Sequence, residues 1–441
     1  MRHHTRTKTS ALIDELENEP RLEVALLTWE FPPIPTAKGR VANETAHALA
    51  ALGANVRVFT MDRDDRVSTD HEHIEVIGCA GRITGLRRLM RHLPGLEHIA
   101  AAAAFRERVQ EEHDRRPFDV IETTNWRAPA AMLMDCGLPV IIRTMSPDSI
   151  DAPKSGRAGD RLSAFIARGL EARCARQAAA VISNTRSNAA FIKAWYDLCP
   201  GQIHMVTPLS VDPEIRKAGH AIPYPPSHAR LRLAYIGNDA PRKGFREMLQ
   251  GFAKVVRHYE SMSEPLPELH IIGLDAGVID AHAQELGLSP TVMDQILDFG
   301  RLTDQSMKHV IARCHGVVAP SRYQSTGSVY RESAAFGRPL LACAEDPAAI
   351  EFVQAHASGR LIDACEPDQI ATAIVSTFSN REDLLRMRQN GLDAARLWTR
   401  AELGARTFQI YRRAMNLAPI SISSVTEHVG EVRAKQSQRS A

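Results

Sequence analysis

The chain has 441 residues, 44% hydrophobic and 24% charged, which sets it apart from disordered and fibrous proteins and is enough for two or three domains with their own cores. Its formal net charge of +2 lacks the basic excess that nucleic-acid-binding chains carry. Seven cysteines stand singly, without a Cys-x-x-Cys pair or a Cys/His cluster, and so point to reduced core residues rather than a zinc site or a disulfide framework.

A basic start, Met1 to Lys8, runs into Ile13-Asp14-Glu15-Leu16-Glu17-Asn18-Glu19 with no apolar stretch between them. No run of about eighteen apolar residues occurs later, so the chain is expected to stay in the cytoplasm, with residues 1–20 a flexible extension. Apolar segments of strand length then alternate with helical patterns. Strands are predicted at Val24–Leu27, Val56–Thr60, Val120–Thr123, Val140–Arg143, Ala180–Ser183 and Ile203–Val206. A second series follows at Leu231–Ile236, Leu269–Gly273, Leu297–Phe299, Gly316–Pro320 and Leu340–Ala342, with a crossover helix from about Gly244 to His258. This is the pattern of parallel sheets covered by helices on both faces, hence an α/β fold of two doubly wound domains. Pro213 to Arg230 contains Pro223-Tyr224-Pro225-Pro226, where prolines forbid a helix and favour a stiff extended linker. The expected divisions are a first domain over 21–215, a linker over 216–230, a second domain over 231–400, a late helix over 401–417 and a disordered, polar tail over 418–441.

The most informative segment is Pro320-Ser321-Arg322-Tyr323-Gln324-Ser325-Thr326-Gly327-Ser328-Val329-Tyr330-Arg331-Glu332, placed between the strand Gly316–Ala319 and a helical stretch ending at Phe336-Gly337-Arg338-Pro339. A strand, turn and helix in this order point backbone N–H groups and the positive end of the helix dipole at whatever lies above the strand, which suits a phosphate. Glu332, one or two turns into the helix, can accept two hydrogen bonds from vicinal hydroxyls. A sugar nucleotide combines both features.

Gln324 to Glu332 resembles the glutamate, seven residues, glutamate signature of the family 4 (group 1) retaining glycosyltransferases, with Gly327 as its central glycine. Gln324 replaces the first glutamate, keeping the shape and losing the charge. Ile236-Gly237-Asn238-Asp239-Ala240-Pro241-Arg242-Lys243-Gly244 is similar to the family's loop in which an arginine and a lysine grip the donor diphosphate. Lys243 and Gly244 fit, while Asn238 stands where the arginine is expected and Arg242 is the neighbouring cation. His270-Ile271-Ile272-Gly273 and Asp298-Phe299-Gly300-Arg301-Leu302 resemble the strand ends that close over the donor base. In the first half, Thr28 to Arg40 resembles the proline-rich loop near phosphate and acceptor, with Gly39 at the start of a helix from Val41 and Lys38 or Arg40 supplying charge. Met145 occupies the place of an active-site histidine, and Glu171, Ala180–Asn184 and Thr207–Asp212 complete the pattern.

The resemblance implies the GT-B arrangement, two Rossmann-like domains facing each other across a cleft, with the first on the acceptor side and the late helix crossing back to it. It implies transfer of a sugar from a nucleoside diphosphate sugar to a hydroxyl with retention, without a metal or other cofactor, in glycan or polysaccharide biosynthesis. Lys243 would neutralise the leaving diphosphate and Gln324 orient the sugar, with Glu332 on the ribose and the amides of Ser325, Thr326, Gly327 and Ser328 at the helix start. The alternative is a catalytically degenerate relative that binds a nucleotide, glycan or partner protein without turnover. A dinucleotide-dependent oxidoreductase is set aside, since neither domain start offers G-x-G-x-x-G. Arg82, Arg87, Arg88, Arg91 and His92 lie beside Leu86, Leu89, Met90 and Leu93, a basic amphipathic segment able to rest on the inner membrane face near a lipid-linked acceptor.

Overall fold

A computed structural model describes residues 21–34, 36–64, 66–68, 73–151, 158–199 and 204–417. The expectations of a flexible extension over 1–20 and a disordered tail over 418–441 lie outside the described residues, as does the start of the strand predicted from Ile203. By its internal contacts the chain divides into two units. Unit 1 takes Met1–Asn184, Ala189–Ser210 and Arg400–Ala441, and unit 2 takes Thr185–Asn188 and Val211–Thr399.

Unit 1 is built on an eight-stranded sheet of β1 (Glu23–Thr28), β2 (Asn55–Thr60), β3 (Arg66–Ser68), β4 (Ile74–Gly78), β5 (Val120–Thr124), β6 (Val140–Thr144), β7 (Ala180–Ser183) and β8 (His204–Val206). The spatial order is β3-β4-β2-β1-β5-β6-β7-β8, parallel except for the β3–β4 pair. Val24 is in register with Val56 on one side and Val120 on the other. Because the side-chain period is two, Ala25 and Leu27 fall in one apolar cluster and Val24 and Leu26 in another, so both faces of β1 are buried under helices.

Unit 2 repeats the plan with six parallel strands: β9 (Arg232–Ile236), β10 (Glu268–Ile272), β11 (Ile296–Asp298), β12 (Gly316–Ala319), β13 (Leu340–Cys343) and β14 (Gly359–Ile362), in the order β11-β10-β9-β12-β13-β14. Leu233 and Tyr235 enter one core and Ala234 the other. In each unit the strand order reverses beside the first strand, which in open α/β sheets makes the carboxyl ends there the place for a ligand.

The expected linker is corrected in its first part. Pro213–Ala221 is a helix, because Pro213 sits in its first turn where a missing N–H costs nothing and Asp212 caps the end by accepting from the Glu214 amide at 2.7 Å. A side chain at Gly219 would strike the Ala335 carbonyl, so this helix docks on helix Ser328–Ala335 as part of unit 2. The late helix, Arg400–Ala414, belongs to unit 1. Its Tyr411 donates to Glu122 at 2.8 Å, Thr407 accepts from Arg143 at 2.9 Å, and Arg400 pairs with Glu44 at 2.9 Å. Glu122 and Arg143 form a buried fork-to-fork pair at 2.7 and 3.1 Å, so this helix satisfies the polar centre of the first sheet. Of the seven cysteines, Cys136 and Cys199 are exposed and do not fit the core reading, since both lie in turns beyond the ends of helices and strands.

Candidate active site

At the carboxyl end of β12 the chain turns through Ser321–Gly327 into helix Ser328–Ala335. Gly327 adopts φ +60°, and a Cβ there would lie 2.7 Å from the Phe352 ring, so only glycine serves in both conformation and space. The turn Pro241–Lys243 after β9 ends on Gly244, at φ +67°, where a Cβ would strike the Pro320 carbonyl and Cys365 Sγ. This close approach seats the Lys243 loop against the end of β12. The Arg322 amide donates to the Arg242 carbonyl at 2.8 Å, the Arg242 guanidinium donates to the Tyr323 carbonyl at 3.1 Å, and Arg322 donates to the Pro241 carbonyl at 3.2 Å.

Those bonds bring the two predicted catalytic side chains together. Lys243 Nζ donates to Gln324 Oε1 at 2.6 Å, and Gln324 Nε2 donates to Ser321 Oγ at 2.8 Å. Gln324 is 4% exposed. A glutamate here would form an ion pair with Lys243, whereas the amide orients the ammonium and leaves its charge uncompensated at this contact. Ser325, Thr326 and Gly327 are buried in the turn, while Ser328 and Glu332 are half-buried, with Glu332 in the second turn of the helix.

Sequence reasoning missed Asp346. It is fully buried behind this turn and accepts from Tyr330 Oη at 2.8 Å and the Ala348 amide at 3.0 Å. Burial pushes its carboxyl up to about 6, against the pull of these bonds, the Gln324 amide and the Lys243 charge. An acid is therefore present near Lys243 in addition to Gln324. In the sequence Asp346 reads only as the cap before Pro347, a role it also fills.

Asn238 is exposed, accepts from the Ala240 amide at 3.4 Å and receives Tyr235 Oη on its carbonyl at 2.8 Å. It organises its own turn. Gly237 donates to the Ile272 carbonyl at 3.0 Å and Gly273 to the Gly300 carbonyl at 2.7 Å, so Gly237, Gly273 and Gly300 are brought together at the ends of β9, β10 and β11. Arg301 is exposed and paired with Asp275 at 2.7 Å, and Leu302 packs on the core.

In unit 1 the helix expected from Val41 begins earlier, as Ala37–Ala50, because Thr36 caps it by accepting from the Gly39 amide at 3.1 Å. Gly39 thus lies inside the first turn with its amide already engaged, and Lys38 projects its ammonium over the Trp126 ring, 3.6 Å from the centroid. Met145 is buried, packs with Val41, Ala48, Leu209 and Leu403, and donates its amide to Asn125 Oδ1 at 2.6 Å. It is a wall, held as core residues are. Arg127 and Ala128, just beyond β5, have φ +57° and +41°, a strained conformation for residues with a Cβ. Glu171 holds that turn: fully buried, it accepts from the Arg127 amide at 2.9 Å, the Asp148 amide at 3.2 Å and Tyr196 Oη at 2.8 Å. Burial pushes its carboxyl up to about 7.

The basic segment near residue 85 also changes on inspection. Arg82 is paired with Glu107 and Glu111, and Arg87 with Glu107, so these cations face helix Leu96–Arg115. Leu86 and Leu89 stand 72% and 61% exposed beside exposed Arg88 and Arg91. Among the described residues, no helix is long and apolar enough to cross a membrane and no three His, Cys, Asp or Glu side chains are grouped to hold a metal ion.

Two doubly wound units of these strand orders, with a last helix in the first unit, define the GT-B class. The sequence matches the Glycosyl transferase 4-like domain over residues 37–208 and Glycosyl transferases group 1 over residues 225–393, and the chain belongs to the group 1 glycosyltransferases. No curated protein matches the sequence. Among solved structures it is similar to sucrose-phosphate synthase from Thermosynechococcus elongatus, at 18% identity and TM-score 0.71, covering 90% of this chain and 100% of that one. WaaG, a glycosyltransferase involved in lipopolysaccharide biosynthesis, matches at 16% identity and TM-score 0.62 over 88% of this chain and 99% of its own. Anabaena HepE in complex with UDP and glucose matches at 15% identity and TM-score 0.55, covering 94% and 100%. At these identities the likeness is one of fold.

Proposed function

We propose that the protein transfers a sugar from a nucleoside diphosphate sugar to a hydroxyl acceptor with retention of configuration, and that unit 2 holds the donor. The observation that carries this reading is the Lys243–Gln324 contact at 2.6 Å, which sets a cation and a neutral amide side by side at the turn that leads into helix Ser328–Ala335. Lys243 takes the diphosphate, the turn amides from Ser325 to Ser328 take its oxygens, Gln324 orients the sugar and Glu332 accepts the ribose hydroxyls. Gly237, Gly300, Arg301 and Leu302 border the base. The complex of HepE with UDP and glucose supports a ligand of this class. No metal or further cofactor enters the reading.

We place the reaction on the cytoplasmic side, in glycan or polysaccharide biosynthesis, with a glycan or lipid-linked acceptor and peripheral membrane contact through Leu86, Leu89, Arg88 and Arg91. A second reading, binding without turnover, is favoured by one observation: Asn238 is uncharged and engaged in its own turn, and one N–H of the Arg242 guanidinium is given to the Tyr323 carbonyl. Titration with UDP-, ADP- and GDP-sugars, followed by donor hydrolysis and transfer, tests both. Steady turnover that falls in Gln324→Ala establishes the enzyme. Tight donor binding with no turnover, regained in the Gln324→Glu, Asn238→Arg double variant, establishes the binder.

A further inference from the structure

Around the Lys243–Gln324 contact, unit 2 gathers buried polar side chains that the donor reading does not use. Asp346 and Tyr330 are 0% exposed and Ser321 is 2% exposed, so with Gln324 they meet out of contact with water. Burying a carboxylate among polar groups is costly unless each is paired, and here each pairing has a direction. Lys243 can only donate, and it donates to Gln324 Oε1 at 2.6 Å. The nitrogen of that amide can likewise only donate, and Nε2 donates to Ser321 Oγ at 2.8 Å. Tyr330 Oη gives its proton to Asp346 Oδ2 at 2.8 Å. Toward the Gln324 side chain, which is also its hydrogen-bond neighbour, the hydroxyl can therefore only accept.

These bonds form a relay of one polarity: ammonium to amide oxygen, amide N–H to phenol oxygen, phenol O–H to carboxylate. An amide turned end for end keeps its shape, and its two ends are told apart only by their partners. Here a turned amide would set N–H groups against an ammonium and an oxygen against a phenol whose proton is already given. Asp346, whose carboxyl at about 6 is ionised at neutral pH, fixes the sense of the relay from its acidic end, and the Gln324 backbone N–H is directed at the same carboxylate. Capping the helix at Pro347 accounts for the bond from the Ala348 amide at 3.0 Å, and for none of the others.

We propose that Asp346, acting through Tyr330, is a positioning residue that holds the neutral amide of Gln324 with Oε1 toward Lys243 and so sets the ammonium where a diphosphate meets it. The acid that a glutamate at position 324 would place directly on Lys243 stands instead at the other end of the relay, and the glutamine is one half of a matched pair with Asp346. The diphosphate in this role rests on the transferase reading; the coupling of positions 324, 330 and 346 does not.

The test uses the full chain in two measurements. In the first, UDP, ADP and GDP are titrated by calorimetry into the wild type, and whichever binds is carried to Asp346→Asn, Tyr330→Phe and Lys243→Ala together with its nucleoside. Asp346→Asn and Tyr330→Phe should each weaken the diphosphate about tenfold and the nucleoside less than about twofold, since only the cation is misplaced. Loss of a negative charge near a lysine would by itself tighten the diphosphate, so tighter or unchanged binding in Asp346→Asn overturns the inference. In the second, thermal unfolding is followed without ligand. Gln324→Glu and Asp346→Asn should each lower the melting temperature by about 3–6 °C. Combined, they should melt above Gln324→Glu alone, because an amide at position 346 can donate to Tyr330 and Tyr330 to the new carboxylate, which reverses the relay with its partners satisfied. Losses that simply add would overturn the coupling. Should Asp346→Asn fail to fold, Tyr330→Phe decides by titration, since it keeps the ring and removes only the hydroxyl. Diphosphate binding unchanged in Lys243→Ala, or absent from the wild type, removes the donor reading and this role with it, whereas binding that falls in Lys243→Ala and holds in Asp346→Asn and Tyr330→Phe removes this role alone.

Discussion

Lys243 and Gln324 set the chemistry that a substrate phosphate would meet. Lys243→Ala removes a charge-assisted bond and should weaken nucleoside diphosphate binding by about 1.5–3 kcal/mol while leaving the nucleoside nearly unchanged, as calorimetry with UDP and uridine would show. Gln324→Glu should also weaken UDP, because a carboxylate at the 2.6 Å contact would compete with the diphosphate for the ammonium more strongly than the neutral amide does. Tighter UDP binding in Gln324→Glu would mean that the amide marks a lost function. Among the buried acids, Glu171 gives a pH signature. Its folded pKa, about 7, lies above the unfolded value of about 4.3, so the folded state holds the extra proton between these limits and stability declines as pH rises from about 4.3 to about 7. In Glu171→Gln this decline, roughly 4 kcal/mol at most, should be absent from denaturant titrations taken across that window, and an unchanged slope would assign it elsewhere.

Among the elements, strands with two buried faces were legible, as were the edge strands β8 and β11, while β3, β4 and β14 were not. β1, β5, β6, β9 and β12 read as apolar runs because helices cover both faces, whereas β3, β4 and β14 are short or carry Glu75 and Arg360 in their pattern. Helix Pro213–Ala221 was hidden because prolines in sequence look alike whether they start a helix or follow one. The Gln324-to-Glu332 turn was legible as a unit, since strand, glycine and helix are consecutive. Asp346 and the turn at Arg127 and Ala128 were not, because their meaning comes from partners far along the chain. The short helix Gly85–Met90 carries its own prediction: Leu86→Glu with Leu89→Glu should reduce binding to phosphatidylglycerol vesicles about tenfold or more, given roughly 1.5–3 kcal/mol for each buried leucine. Equal sedimentation of wild type and variant would remove this helix from membrane contact.

For the whole molecule, the decisive arrangement is that the first unit is completed by the last helix. Without Arg400–Ala414, Glu122 would lose Tyr411, Arg143 would lose Thr407, and Glu44 would lose Arg400. Burial by itself raises the Glu44 carboxyl, but the Arg400 bond and charge, with the Ser210 hydroxyl, hold it below the ordinary carboxylate range. A depressed folded pKa contributes stability above the unfolded pKa that is lost as pH falls through the folded value. Ending the chain at Thr399 leaves Glu122, Arg143 and Glu44 each short of a hydrogen bond of about 1.5–3 kcal/mol, and exposes the apolar contacts of Leu403, Ile410 and Tyr411. The truncated protein should therefore unfold in two steps, unit 1 first at a lowered temperature, while UDP still stabilises the second step because every proposed donor contact lies within Val211–Thr399. A single transition at the full-length temperature would show that the helix is dispensable, and loss of UDP stabilisation in the second step would show that unit 2 does not hold the donor by itself.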